Sequence, residues 1–191
     1  MSKFLRMGTI SAAVSLAVAF FGSEVKAAPI SSFADGYDVS NWTVSASFGG
    51  SVNTTGAPSS IVVIEPNSGF GGAIASFTTV ALGTGTFSFD WDYGGNDCGW
   101  ASALVYNNGS SVLANSCTSG NSYSAQVNAG DIIGFGIRTF DGILGSTTLS
   151  ISNFTAPSEL TPVPLPAAGW MLFSGFGALA FVGRRRRRLN Q

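Results

Sequence analysis

Two runs set the period of this chain. In Phe87-Ser88-Phe89-Asp90-Trp91-Asp92-Tyr93 every second residue is aromatic and the residues between are Ser or Asp; Trp42-Thr43-Val44-Ser45-Ala46-Ser47-Phe48 alternates in the same way. A period of two puts alternate side chains on opposite faces of a β-strand. The rings are therefore expected in a core, with Ser88, Asp90 and Asp92 on the other face. Stretches rich in β-branched and aromatic residues at 61–64, 74–80, 101–106, 111–116, 123–127, 132–138 and 147–154 predict further strands. Turn-forming clusters divide them, among them Gly49-Gly50, Gly83-Thr84-Gly85, Gly94-Gly95-Asn96, Asn107-Asn108-Gly109 and Ala129-Gly130-Asp131. No sustained helical period interrupts this region. About nine short strands with a turn roughly every eight to twelve residues predict an all-β fold, an antiparallel jelly-roll-like β-sandwich. It is expected to cover residues 28–156.

The two ends read differently. Lys3 and Arg6 precede an apolar run over 10–21, and Val25-Lys26-Ala27 offers small residues at the positions a signal peptidase reads. Residues 1–27 are thus expected to be a cleaved signal peptide. After the last strand, 157–166 is a linker whose spaced prolines favour an extended chain. An apolar run over 167–183 follows, about 25 Å long as a helix, at the lower limit of a membrane span. It ends on Arg184, Arg185, Arg186, Arg187 and Arg188 within a basic tail, 184–191. By the positive-inside rule these arginines stay cytoplasmic and the sandwich lies outside.

Charge sharpens the picture. Between Lys26 and Arg184 the only base is Arg138, set against nine carboxylates, a net charge of −8. Phosphate neutralisation needs a basic face, so a nucleic-acid partner is not expected. The chain holds no histidine, which excludes Ser-His-Asp triads and His-ligated metal sites. Export would put Cys98 and Cys117 in an oxidising compartment, where a disulfide is the default. A hairpin turning at Asn108-Gly109 would set Leu104 opposite Leu113 and Trp100 opposite Cys117. A bulge in 94–99 would then bring Cys98 to Cys117.

Candidate chemistry is sparse. Asp90 and Asp92 share one strand face about 6.5 to 7 Å apart. A glycosidase needs its two carboxylates on opposite sides of a bond, whereas these approach from one side, so a solvated strand face is the expected role and no enzyme is predicted. Asp90, Asp92, Asn96 and Asp97 could offer oxygens to Ca²⁺, as could Asp35 and Asp38, although no motif spacing specifies a site. Beyond that alternative no cofactor is expected. Trp91 is expected in the core, and Trp100, after a loop, on the surface as a possible glycan contact. Arg138 is expected to pair with Asp141.

Val163, Pro164, Leu165, Pro166 and Ala167, followed directly by the apolar run and the five arginines, resemble the C-terminal sorting signal of the VPLPA/PEP-CTERM type. The resemblance covers about the last 25 residues. It implies recognition by an exosortase, a membrane-embedded processing enzyme, with the protein held at the inner membrane until its tail is removed. Phrases such as Asn41-Trp42-Thr43 and Phe87-Ser88-Phe89-Asp90-Trp91 also resemble the variable surface domains found before such tails. The resemblance implies a non-catalytic protein of the cell surface or extracellular matrix, associated with exopolysaccharide and biofilm. A carbohydrate-binding module, calcium-dependent or not, is the alternative; a glycan-acting hydrolase is the third reading.

Overall fold

A computed structural model describes residues 28–65, 67 and 69–159. The signal-peptide segment, the sorting motif, the apolar run and the five arginines lie outside the described residues. What is described is all-β. Eleven strands occur: β1 (Pro29–Ser31), β2 (Thr43–Ala46), β3 (Ser51–Asn53), β4 (Ser60–Ile64), β5 (Ile74–Val80), β6 (Gly85–Gly95), β7 (Ala101–Asn107), β8 (Ser110–Ala114), β9 (Thr118–Val127), β10 (Ile132–Thr139) and β11 (Thr147–Pro157). They form two antiparallel sheets that face each other as a sandwich without closing into a barrel. One has the order β3-β4-β11-β6-β9, with β1 also paired to β11; the other runs β2-β5-β10-β7-β8. From β4 to β7 each connection crosses from one sheet to the other.

The two alternating runs differ: β6 behaves as its period requires, whereas the run from Trp42 buries Trp42 alone and leaves Val44 51% and Phe48 57% exposed, β2 being exposed at every position. On β6, Phe87, Phe89, Trp91 and Tyr93 are buried, while Ser88, Asp90 and Asp92 face outward. The run beginning at Trp42 is corrected at its start: Trp42 closes a 3-10 turn (Val39–Asn41), and strand β2 begins one residue later. Its indole nitrogen donates to the Tyr37 carbonyl oxygen at 3.0 Å, so the ring enters the core with its polar atom satisfied. The two strands the pattern does not predict, β1 and β3, are three residues long and lie at sheet edges.

The core is aromatic. Phe135 of β10 and Phe154 of β11 belong to opposite sheets, and their ring centroids are 6.3 Å apart. Phe154 stacks on Phe33 at 4.7 Å, and Phe135 stacks on Trp42 at 5.6 Å and meets Phe89 edge-on at 4.8 Å. Phe135 is flanked by Gly134 and Gly136. A Cβ on Gly134 would stand 2.2 Å from the Phe77 carbonyl oxygen on neighbouring β5, so only glycine lets the two strands approach this closely.

A Cys98–Cys117 disulfide is present, with Cα atoms 5.2 Å apart. It ties the β6–β7 crossing to the β8–β9 crossing, two places where the chain changes sheet. A disulfide persists in an oxidising compartment. The hairpin beside it turns at Asn108-Gly109, but its register differs from the expected one. Leu104 pairs with Val112, and a bulge between Ala103 and Leu104 then restores Ala103 to Ala114. The extra residue of this bulge is Leu113 on β8, so the expected bulge in 94–99 is replaced by one in the hairpin itself.

Tyr37 locks the pole where the described chain begins and ends. Its buried hydroxyl donates to the Pro157 carbonyl oxygen at 2.7 Å and accepts from the Leu82 amide at 2.9 Å. Burial pushes its phenol above the usual tyrosine range, partly offset by the Leu82 hydrogen bond. Tyr37→Phe leaves two backbone groups buried without a partner, and we expect it to lower stability by about 2 kcal/mol. Equilibrium urea unfolding checks this: the midpoint should fall with an unchanged slope, and an unchanged midpoint would refute the role.

Candidate functional site

The antiparallel register sends the loops to two opposite poles. At one, the terminal pole, lie β1, Pro157, Tyr37 and the turns at 81–84, 108–109 and 128–131. At the other, the loop pole, lie 47–50, 65, 67, 69–73, 96–100, 115–117 and 140–146. Among the described residues, six of the ten exposed large hydrophobic side chains sit at the loop pole: Phe48, Phe70, Trp100, Phe140, Ile143 and Leu144. Their loops are joined to one another. Phe48 stacks on Phe70 at 5.2 Å, Gly69 donates to the Gly142 carbonyl oxygen at 2.8 Å, and Phe140 donates to the Trp100 carbonyl oxygen at 2.7 Å. Trp100 is 56% exposed, as expected of a ring available to a ligand.

Beneath these rings is a buried acidic cluster. Asp97 is fully buried and Glu65 is 1% exposed. Glu65 follows the end of β4, and its Oε2 accepts from the Thr147 amide at 3.0 Å. The Asp97 amide donates to the Thr147 hydroxyl at 3.2 Å, which turns its side chain inward. No N–H or O–H donor among the described residues reaches either Asp97 carboxyl oxygen, nor Glu65 Oε1. The Asp97 oxygens instead meet the carboxyls of Glu65 and Asp141. Burial raises the Asp97 carboxyl above its ordinary range, and the Glu65 and Asp141 carboxylates beside it raise it further. The Tyr93 hydroxyl, also buried without a partner, is raised by burial and by the same two acids, Glu65 and Asp97.

The predicted trio of Asp90, Asp92 and Asp97 is not assembled. Asp90 accepts from Ser122 and Asn153, both at 2.8 Å, and Asp92 accepts from the Gly120 amide at 2.6 Å. Asn153 and Ser122 in turn hold Asp90 ionised, below the usual carboxylate range. These two acids bind β6 to its neighbouring strands on the outer face, while Asp97 points into the interior past the end of β6. Among the described residues no group of three or more acidic, histidine or cysteine side chains is set out to hold a metal ion. Asp38, on its exposed turn, accepts from Ser40 instead. Nor does Arg138 pair with Asp141: its guanidinium stands over the Phe140 ring at 5.6 Å, and its Nε has no hydrogen-bond partner.

No protein-family model matches the chain, and no curated protein matches it in sequence. A hollow of about 740 Å³ at the terminal pole, walled by Ile30, Asn41, Val80, Leu82 and Glu159, has neither an aromatic ring nor a pair of acids among its described lining. The loop pole has both. Glu65 and Asp141 were not singled out from the sequence as site residues, because each stands alone in a different turn region. The signal that could have found them is topological: β4, β6 and β10 all end at one pole.

Asp97 carries a testable cost. A carboxyl whose folded value is raised contributes stability below its unfolded range and loses it as pH rises through the folded value. Asp97→Asn removes that loss. In metal-free buffer at pH 7.5 the variant should melt several degrees above the wild type, with the difference vanishing towards pH 4. A variant that melts lower at pH 7.5 would show that the charged carboxylate is stabilised by something other than its described neighbours.

Proposed function

We propose that this chain is a non-catalytic exported protein, sorted to the cell surface or matrix through its VPLPA-type tail and associated there with exopolysaccharide. The connectivity of the two sheets, β4-β11-β6-β9 against β5-β10-β7-β8, is read here as a jelly roll. One observation carries the reading. The described chain enters at β1 and leaves at Pro157, both at the terminal pole, while the exposed rings gather at the opposite pole. A domain tethered through residues 160–191 would present Phe48, Phe70, Trp100 and Phe140 away from the membrane. In this reading a signal peptidase removes 1–27. An exosortase reads Val163, Pro164, Leu165, Pro166 and Ala167 while Arg184 to Arg188 hold the substrate at the inner membrane.

A carbohydrate-binding module is the second reading, favoured by the exposure of Trp100, since an accessible indole face stacks on a sugar ring. Against a hydrolase stands the burial of Asp97 and Glu65, which keeps these two acids away from any polymer.

Intact mass of the surface protein from its native host tests the sorting. The mature chain should lack 1–27 and 167–191. Replacing both Pro164 and Pro166 by alanine should let helix extend into the recognition strand, so that uncut protein accumulates in the membrane. Wild-type surface chains that still end at Gln191 would contradict the proposal.

A further inference from the structure

The acidic cluster beneath the loop pole lacks positive charge. Arg138 is the only base between Lys26 and Arg184, and its guanidinium is engaged with Phe140. Buried carboxylates are retained only when paired, protonated or bound to a metal. Here three carboxyls meet, two of them almost fully buried, and neither Asp97 oxygen nor Glu65 Oε1 receives a donor. The Tyr93 hydroxyl faces the same two acids, equally buried and equally without a partner. An unpaired hydroxyl and three unpaired carboxylate oxygens, on side chains that neighbour one another, are oxygens that the described groups of the chain do not satisfy.

We propose that Glu65, Asp97 and Asp141 bind a hard divalent cation, calcium by the chemistry of the donors. The donors are all oxygen, with no histidine or free thiol nearby, which selects against zinc and the later transition metals. They come from three separate loops, and calcium accepts such irregular sets of six to eight oxygens, whereas magnesium demands a near-ideal octahedron and keeps its waters. Glu65 and Asp97 are fixed at strand ends by their bonds with Thr147. Asp141 is the least buried of the three, and its Oδ1 makes only a long contact, 3.3 Å, with the Ile143 amide. The three are not yet set out as a metal group, so the closing movement falls to Asp141. That movement would draw in the loop carrying Ile143 and Leu144 and fix the exposed rings of the pole. The site is distinct from the outer-face acids Asp90 and Asp92, and it stands whether or not the sorting and glycan readings hold.

Thermal unfolding of the full-length protein in a non-ionic detergent, followed by tryptophan fluorescence at pH 7.5, tests this. After treatment with EDTA, calcium at millimolar concentration should raise the midpoint by about 5 °C or more, and magnesium by clearly less. Asp97→Asn and Glu65→Gln should abolish the calcium-dependent rise while still melting cooperatively in EDTA, which separates loss of the site from loss of the fold. Asp90→Asn, on the outer face, should keep the full rise. The proposal is overturned if calcium leaves the wild-type midpoint unchanged, or if the rise persists in both Asp97→Asn and Glu65→Gln. A midpoint indifferent to calcium that climbs on acidification to pH 5 would equally overturn it, by assigning the cluster to shared protons.

Discussion

The contact between Phe135 and Phe154 joins the two sheets, and most other features of the molecule follow from it. Each ring lies on a strand near the middle of its own sheet, and each meets four or more further rings from Phe33, Tyr37, Trp42, Phe87 and Phe89. Aromatic side chains bury more apolar surface than any others and favour tilted or offset contacts. A dense cluster of them therefore fixes both the spacing and the rotation of the sheets. With that interface set, the loops are divided between two poles, and the poles acquire separate characters. Hydrogen bonds of Tyr37 close the terminal pole, while the disulfide, the exposed rings and the buried acids all belong to the loop pole.

That division gives a chain of low charge its one polarised feature. The outer faces are covered by Ser, Thr and Asn with acids held by neighbouring donors, as Asp90 is by Asn153 and Ser122, and at the terminal pole the Asn128 amide and Asn108 likewise keep Asp131 ionised. Such surfaces are solvated and unremarkable in chemistry. Only at the loop pole do large apolar rings stand exposed above carboxyls that lack partners. A ligand or ion that completes this pole gains contacts and satisfies buried oxygens at once, so affinity and local order would be coupled there.

Much of the fold was legible because alternation is a direct consequence of the pleat. β6 carries four rings on one face, and no other element would bury them together, so its role followed from seven residues. β5 and β10 were equally clear. β1 and β3 were not, since three residues at a sheet edge carry no period. The one-residue displacement in the hairpin begins at the turn, where Tyr106 pairs with Ser110, and is undone by a bulge that turn chemistry alone does not specify. The disulfide was legible because a chain with two cysteines leaves one pairing. The acidic cluster was hidden for the opposite reason. Asp97 stands close in sequence to Asp90 and Asp92 and reads as their companion, yet it leaves the strand and turns inward. Its true companions, Glu65 and Asp141, are remote in sequence and become neighbours only through the strand order.

The proposed function makes the loop pole the outward, binding face of an exported matrix protein, with Trp100 one of its exposed rings. Co-sedimentation of the purified protein with the extracellular polysaccharide of its own host tests this most directly. The account predicts that the wild type sediments with the polysaccharide and that Trp100→Ala, correctly folded by its unchanged thermal midpoint, loses this association several-fold. Equal sedimentation of the two proteins, or no sedimentation of the wild type, would contradict it.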